Sequence, residues 1–135
     1  MEIWQKRKLK KPPKKAAAGN ITFKTPQVLF WTKHAEEKMR FYHLSKQRVR
    51  RVLNSPKRTE EGIAPNTIAM MQPASVKTMA GKPAWNQEIW IMIQNRKNRI
   101  KIISAWRYPG KTKPKDETTF NFFQKEYLEY KNKEN

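Results

Sequence analysis

His34 and His43 are the two histidines of the chain, and no cysteine accompanies them. Histidine is the side chain whose charge ordinarily changes nearest neutral pH, which makes it the first candidate for a proton acceptor. His34 stands in TKHAEEKM at the expected start of a helix, where the helix dipole disfavours an added positive charge and leaves the ring free to accept a proton. A second set of chemically capable residues closes the strand-like run 99–107: Arg107 and Tyr108 precede Pro109-Gly110, and Arg99 and Lys101 belong to the same run. Arginine holds phosphate through two parallel hydrogen bonds, and tyrosine donates or stacks. Metal-free cleavage of RNA requires a base for the ribose 2′-hydroxyl, an acid for the leaving oxygen and a cation for the phosphorane. His34, Lys101, Arg107 and Tyr108 are the candidate catalytic set for that chemistry. The plain alternatives are that His34 caps or packs a helix end, that His43 is a solvated junction residue, and that the Arg-Tyr pair is structural.

Charge points to a polyanion whether or not the catalytic set is real. Thirty Lys and Arg against 11 Asp and Glu give a net charge of +19. Residues 1–20 hold 7 basic and 1 acidic side chains, residues 21–115 hold 20 and 5, and residues 116–135 hold 3 and 5, so most of the excess belongs to the domain. Self-repulsion of this size is relieved when a nucleic acid supplies the compensating charge and sheds its own counterions. The candidate RNA-binding residues are Lys6, Arg7, Lys8, Lys10 and Lys11 in the N-terminal stretch, with Arg40, Arg48, Arg50, Arg51 and Arg99 in the domain. No Glu stands four residues from Arg50 or Arg51, so their helix offers them no internal partner.

Other classes are disfavoured. Two histidines without cysteine are a poor basis for structural zinc, and nothing in the sequence asks for a cofactor or metal. No run approaches the roughly 20 apolar residues of a membrane span, and MEIWQKRKLKKPPKK lacks the apolar segment of a secretory signal, so the expectation is a cytoplasmic protein with no membrane partner.

The elements that must position these residues follow from periodicity. Residues 1–20, interrupted by Pro12-Pro13, read as a disordered basic arm. After the extended stretch ITFKTPQVLFW, residues 32–42 read as a helix capped by Thr32, with Glu36 and Glu37 in its first turn and Ala35, Met39 and Tyr42 on one face. Ser45 starts a second helix with Val49, Val52 and Leu53 inward, ending at Asn54-Ser55-Pro56. Residues 67–71, 88–94 and 99–107 are β-like, the last two joined by a polar turn, Asn95 to Asn98. Ile89, Ile91 and Ile93 share a face opposite Trp90 and Met92, and Ile100, Ile102, Ser104 and Trp106 are expected to share another. Residues 73–83, with two prolines, are expected to form a mobile loop. KTKPK is a basic linker to a helix opening at Asp116-Glu117, with Phe120, Phe123, Tyr127 and Tyr130 in a stripe suited to packing.

TKHAEEKMRFYHLSKQRVRRVLNSPKR followed by RIKIISAWRYPG resembles the domain of unknown function 4258 family, allied to the RelE/ParE-like toxin fold. The matched positions are His34, Ala35, Met39 and Ser45, with Leu44 for the family's Ile, and the likeness covers about residues 30–110. Lys38 and Tyr42 stand where the family carries arginines. The resemblance implies an α+β fold in which two N-terminal helices pack on a small antiparallel sheet. The division expected is an arm at 1–20, the domain at 21–115 and a C-terminal amphipathic helix at 116–135. That superfold hosts endoribonucleases, gyrase-directed toxins and noncatalytic relatives, so function must come from the site.

Three readings follow. The first is a basic RNA-binding protein of RelE-like fold acting at the ribosome or ribosomal RNA. The second is a metal-independent endoribonuclease toxin of a toxin-antitoxin pair, and the third is a protein-directed module whose basic patch meets an acidic antitoxin. A +19 chain with a cationic arm favours binding first, because a cleaving enzyme must also release.

Overall fold

A computed structural model describes residues 28–134; the arm, with Lys6, Arg7, Lys8, Lys10 and Lys11, lies outside them. The order is β1 (Val28–Trp31), α1 (Lys33–Tyr42), α2 (Lys46–Asn54), β2 (Arg58–Glu61), β3 (Thr67–Pro73), β4 (Lys77–Met79), β5 (Lys82–Ala84), β6 (Glu88–Arg96), β7 (Arg99–Tyr108) and α3 (Glu117–Glu134). The fold is α+β. Its main sheet runs β1-β7-β6-β3-β2, and β4-β5 is a separate ribbon. The five-stranded sheet is mixed, not antiparallel as expected, because β1 joins β7 in parallel, Val28 opposite Arg99 and Trp31 opposite Ile102. A parallel pair needs a long crossover, and the helices and the β2-β3-β6 meander between β1 and β7 supply it.

Both helix starts are set locally. The Thr32 hydroxyl accepts from the Ala35 amide at 3.0 Å and donates to the Ile102 carbonyl at 2.8 Å, so one side chain caps α1 and pins it to β7. His43, in the left-handed region at φ 56°, ends α1, and its N–H donates to the Arg40 carbonyl. Two residues later Ser45 accepts from the Arg48 amide and starts α2.

The sheet has helices on both faces. Ala35, Met39, Val49, Val52 and Leu53 of α1 and α2 bury against Met70, Ile89, Ile91, Ile93, Ile100, Ile102 and Ala105. On the opposite face Phe123 and Tyr130 of α3 close over Met71, Trp90, Met92, Ile103 and Trp106. Trp90 and Trp106 stack at 6.1 Å, and Phe123 leans on Trp90 at 5.4 Å. Full burial of Phe123 contributes about 1.5–3 kcal/mol, so α3 is the third layer of the body and not an appendage to it.

Three local expectations are corrected. Met92 pairs with Ser104 and Ile93 with Ile102, which leaves Ile103 as the extra residue of a β-bulge. Beyond it the parity of β7 reverses: Ala105 joins Ile100 and Ile102 under α1 and α2, whereas Ser104 and Trp106 turn toward α3. Residues 73–83 contain the β4-β5 hairpin, whose turn residues Ala80 and Gly81 have φ of 53° and 76°, the left-handed pair favoured by a two-residue turn. The β6-β7 turn is likewise shorter than expected, with Arg96 already paired to Arg99. No described helix is long and apolar enough to cross a membrane.

Candidate nucleic-acid interface

β1 covers only the first part of β7, and α1 runs beside the rest. It begins where Thr32 donates to Ile102 and ends where Arg107 reaches across to it. Arg107 Nε donates to the Tyr42 carbonyl at 2.7 Å, Nη2 to the His43 carbonyl at 3.3 Å and Nη1 to Gln87 Oε1 at 3.0 Å. Arg48, in the first turn of α2, donates to Gln72 Oε1 at 2.6 Å and to the Pro73 carbonyl at 3.3 Å. Gln72 in turn donates to the Arg51 and Ser55 carbonyls at the end of the same helix. The end of β7 and the residue before β6 therefore meet the end of α1 through Arg107, and the end of β3 meets α2 through Arg48 and Gln72.

Every acceptor in these contacts is neutral. Among the described residues, neither Arg48, Arg51 nor Arg107 has a carboxylate within ion-pair distance, and the first turn of α2 carries no acid. Burial first, and then the charges of Arg51 and Arg107, hold the Arg48 guanidinium below its ordinary pKa. Two further arginines close enough to act on Arg48, with no internal counter-charge among the described residues, raise the local potential in a way that an external anion relieves. Arg48 and Arg107 are half-buried and held in place, whereas Arg51 is exposed. The site is thus partly preorganised, which lowers the entropic cost of binding.

The other basic candidates distribute around this centre. Arg50 and Lys46 lie over the Trp31 ring at 5.5 and 5.1 Å. Arg40 is exposed near the end of α1. Arg99 is remote: eight residues up β7 from Arg107, or about 26 Å along a strand, it lines with Arg96, Lys97 and Asn66 an open hollow of about 940 Å³.

The four candidate catalytic residues do not converge. His34 is 1% exposed beneath α3, with Nε2 2.8 Å from Glu126 Oε1 and Nδ1 2.9 Å from Lys133 Nζ. An ammonium can only donate, so Nδ1 is the acceptor and Nε2 carries the proton given to Glu126. Both nitrogens are engaged inside the protein. Arg107 meets α1 at its far end, about 13 Å away at 1.5 Å per residue. Lys101 donates to the Tyr130 hydroxyl at 2.9 Å, on the α3 side. Tyr108 also faces α3, edge-on to Phe122 at 5.8 Å. Adjacent strand residues point to opposite faces, which alone separates Arg107 from Tyr108. His43 is exposed at the α1 end, with its carbonyl and not its ring facing Arg107.

Two buried carboxylates, not anticipated from the sequence, organise these surroundings. Glu126, fully enclosed, accepts from Ser104 Oγ at 2.6 Å and from His34, and its Oε2 lies 2.9 Å from Lys38 Nζ. Burial pushes its pKa up, but the hydrogen bonds from His34, Ser104 and Lys38, with the Lys38 charge, outweigh burial and hold it at about 2. Glu88, also fully buried, takes four donors: Trp85 and Trp90 indole N–H groups at 2.9 and 3.0 Å, and the Thr112 hydroxyl and amide at 2.7 and 3.0 Å. Arg58 donates to the Thr112 hydroxyl at 2.6 Å, linking a cation to Glu88 through one side chain. Glu126 was visible in principle, since it continues the three-and-four spacing from Phe123 toward Tyr130.

His34, Glu126 and Glu129 have the composition of a metal site, with ligand atoms within 4.8 Å of one another. The fit is poor. Glu126 Oε1 already serves two donors, and the Lys38 and Lys133 ammonium groups face the same carboxylate and imidazole. A cation added there meets two fixed positive charges. The group is a charge-balanced link between α1 and α3.

Comparisons of the chain with protein-family models, with curated proteins and with solved structures give no match.

Proposed function

We propose that this chain is a basic RNA-binding protein, with a RelE-like arrangement of its helices and sheet, whose target is folded RNA of the ribosomal kind. The observation that carries the reading is the group of Arg48 and Arg107, each held on neutral acceptors, with the exposed Arg51 beside Arg48, none of them with a carboxylate among the described residues. A phosphate is the anion whose geometry suits paired guanidinium groups. The surrounding charge of +19 supplies the long-range attraction. Binding is preferred to cleavage because His34, the best candidate base, is enclosed and committed to Glu126 and Lys133. The RelE-like arrangement is supported by consecutive helices α1 and α2 on one face of a sheet that ends in the β6-β7 hairpin.

The test is fluorescence anisotropy with a labelled structured RNA between about 50 and 200 mM salt. Affinity is expected to fall steeply with salt. Arg51→Ala, at an exposed position, is expected to lower the log–log slope by about 0.7 to 0.9 for each phosphate contact it makes. Salt-insensitive binding, or a slope unchanged by Arg51→Ala and Arg48→Ala together, overturns the proposal.

A further inference from the structure

The arginine cluster continues into a groove that its charge does not explain. Between the β4-β5 hairpin and the α2-β2 turn lies an open groove of about 390 Å³, lined by Pro56, Lys57, Gln72, Val76, Pro83 and Trp85 among others. Gln72 belongs to both places, since its Oε1 accepts from Arg48 while its side chain lines the groove. The indole of Trp85 is half-buried, and its N–H is fixed to the buried Glu88 at 2.9 Å, which sets the plane of the ring. Lys111 Nζ stands 4.4 Å and Lys57 Nζ 5.8 Å from the centre of that ring. On the hairpin side Val76, which lines the groove, is 54% exposed among the described residues.

The chemistry of the groove is therefore a flat aromatic wall, with the Lys57 and Lys111 ammonium groups over its ring, and apolar proline and valine edges. Among the described residues no carboxylate lines it. That combination fits a planar, apolar ring attached to an anion. A nucleobase with its phosphate has that form, and an aromatic platform in an electropositive groove is how unpaired bases are held without sequence readout. The volume lies at the lower end of the range for small-ligand sites and matches one nucleotide better than a stretch of duplex, whose bases are stacked away from such a wall.

We infer that this groove receives an unpaired nucleotide of the bound RNA, with its base taking the place of the Lys57 ammonium over Trp85 and its phosphate toward the displaced Lys57 and the Arg48–Arg51 cluster. The inference rests on the RNA-binding reading and adds a preference to it: the protein distinguishes RNA with a bulged or single-stranded nucleotide from a continuous duplex. The β4-β5 hairpin stands beside the groove as a separate ribbon, its two strands pairing, among the described residues, only with each other.

The experiment compares three labelled RNAs with the full-length chain: a perfect duplex, the same duplex with one bulged nucleotide, and one strand alone. Wild type is expected to bind the bulged and single-stranded RNAs more tightly than the duplex, with the margin set by a stacking contact, roughly 5- to 100-fold. Trp85→Ala should abolish that margin while leaving duplex affinity and its salt slope within about two-fold. Because Trp85 also supports Glu88, Val76→Glu provides the second variant: it alters an exposed wall and sets a negative charge inside the groove, which repels an incoming phosphate. It too should erase the preference for unpaired RNA, with an unchanged melting temperature. Equal affinity of wild type for duplex and bulged RNA overturns the groove assignment alone, as does a preference that survives both variants. Displacement of single-stranded RNA by an acidic aromatic peptide, with no bulge preference, assigns the groove to a protein partner instead. Absence of binding to all three RNAs at low salt overturns the RNA reading itself, and the groove assignment with it.

Discussion

Replacing Glu126 by Gln tests whether the link between α1 and α3 is electrostatic. In the native chain the carboxylate is held at a pKa of about 2 against an ordinary 4.5, by hydrogen bonds and the Lys38 charge acting over an opposing burial effect. The folded pKa is depressed, so the unfolded chain takes up the proton first as pH falls. The contribution to stability is complete above about pH 4.5 and is lost progressively as pH drops toward 2. At about 1.4 kcal/mol per pK unit the full contribution is about 3 kcal/mol. Gln keeps an acceptor for His34 and Ser104 but leaves the Lys38 ammonium without its counter-charge, a loss of the same order. Urea unfolding followed by tryptophan fluorescence is a direct assay, because Trp90 and Trp106 lie under Phe123 of the same helix. At neutral pH Glu126→Gln should be less stable than wild type by about 3 kcal/mol, and the gap should close as pH falls through the window. Other carboxylates titrate there too, but they are common to both proteins and cancel in the difference. A gap below about 0.5 kcal/mol at neutral pH, or one that stays constant down to pH 2, refutes the assignment.

Other expectations follow from the same geometry. His34→Ala should destabilise the fold by about 1–3 kcal/mol, since it removes one buried donor from Glu126 and one acceptor from Lys133 and leaves a cavity beneath α3, yet leave RNA affinity unaltered under folding conditions; a selective loss of RNA binding would return His34 to the functional site. Glu88→Ala removes the acceptor of four donors and is expected to cost at least about 3 kcal/mol, read as loss of the cooperative unfolding transition at moderate urea. Ser45→Ala should cost about 1 kcal/mol in unfolding free energy through loss of the α2 cap, a change that would be absent if the Arg48 amide found another acceptor.

What the sequence reveals of this fold is what is encoded locally. Thr32 and Ser45 cap where their side chains and the downstream apolar spacing place them, and the isoleucines of β6 alternate as read. Parallel pairing of β1 with β7 depends on partners about 70 residues apart and leaves no local signature. The bulge at Ile103 is equally hidden, because Ser104 follows the expected alternation until Glu126 on a distant helix turns it the other way. Pro73 and Pro83 obscured the hairpin, although a two-stranded ribbon leaves one edge of each strand unpaired and tolerates a missing N–H. For the interface, Arg48, Arg51 and Arg107 were each legible as basic residues of helix or strand ends. Their placement is not, since Gln72, which holds Arg48, and Gln87, which holds Arg107, are ordinary amides in the sequence. His34 misled for a physical reason: a histidine at a helix start and a histidine gripped by two charged groups look alike until the third layer is placed over it.

The parallel seat of β1 also governs the order in which the chain can acquire its shape. Val28 to Trp31 have no strand to join until residues 99 to 102 exist, and Thr32 cannot anchor α1 before the carbonyls of Ile102 and Ile103 are in place. During synthesis α1 and α2 must therefore wait, with their apolar faces uncovered, while the β2-β3-β6 meander is built, and the Trp90–Trp106 face stays bare until α3 emerges after it. Contacts of such long sequence separation slow folding, because loop closure is paid before the contact returns anything. Among the described elements α3 comes last, so the layer that covers Trp90 and Trp106 is also the last to be made.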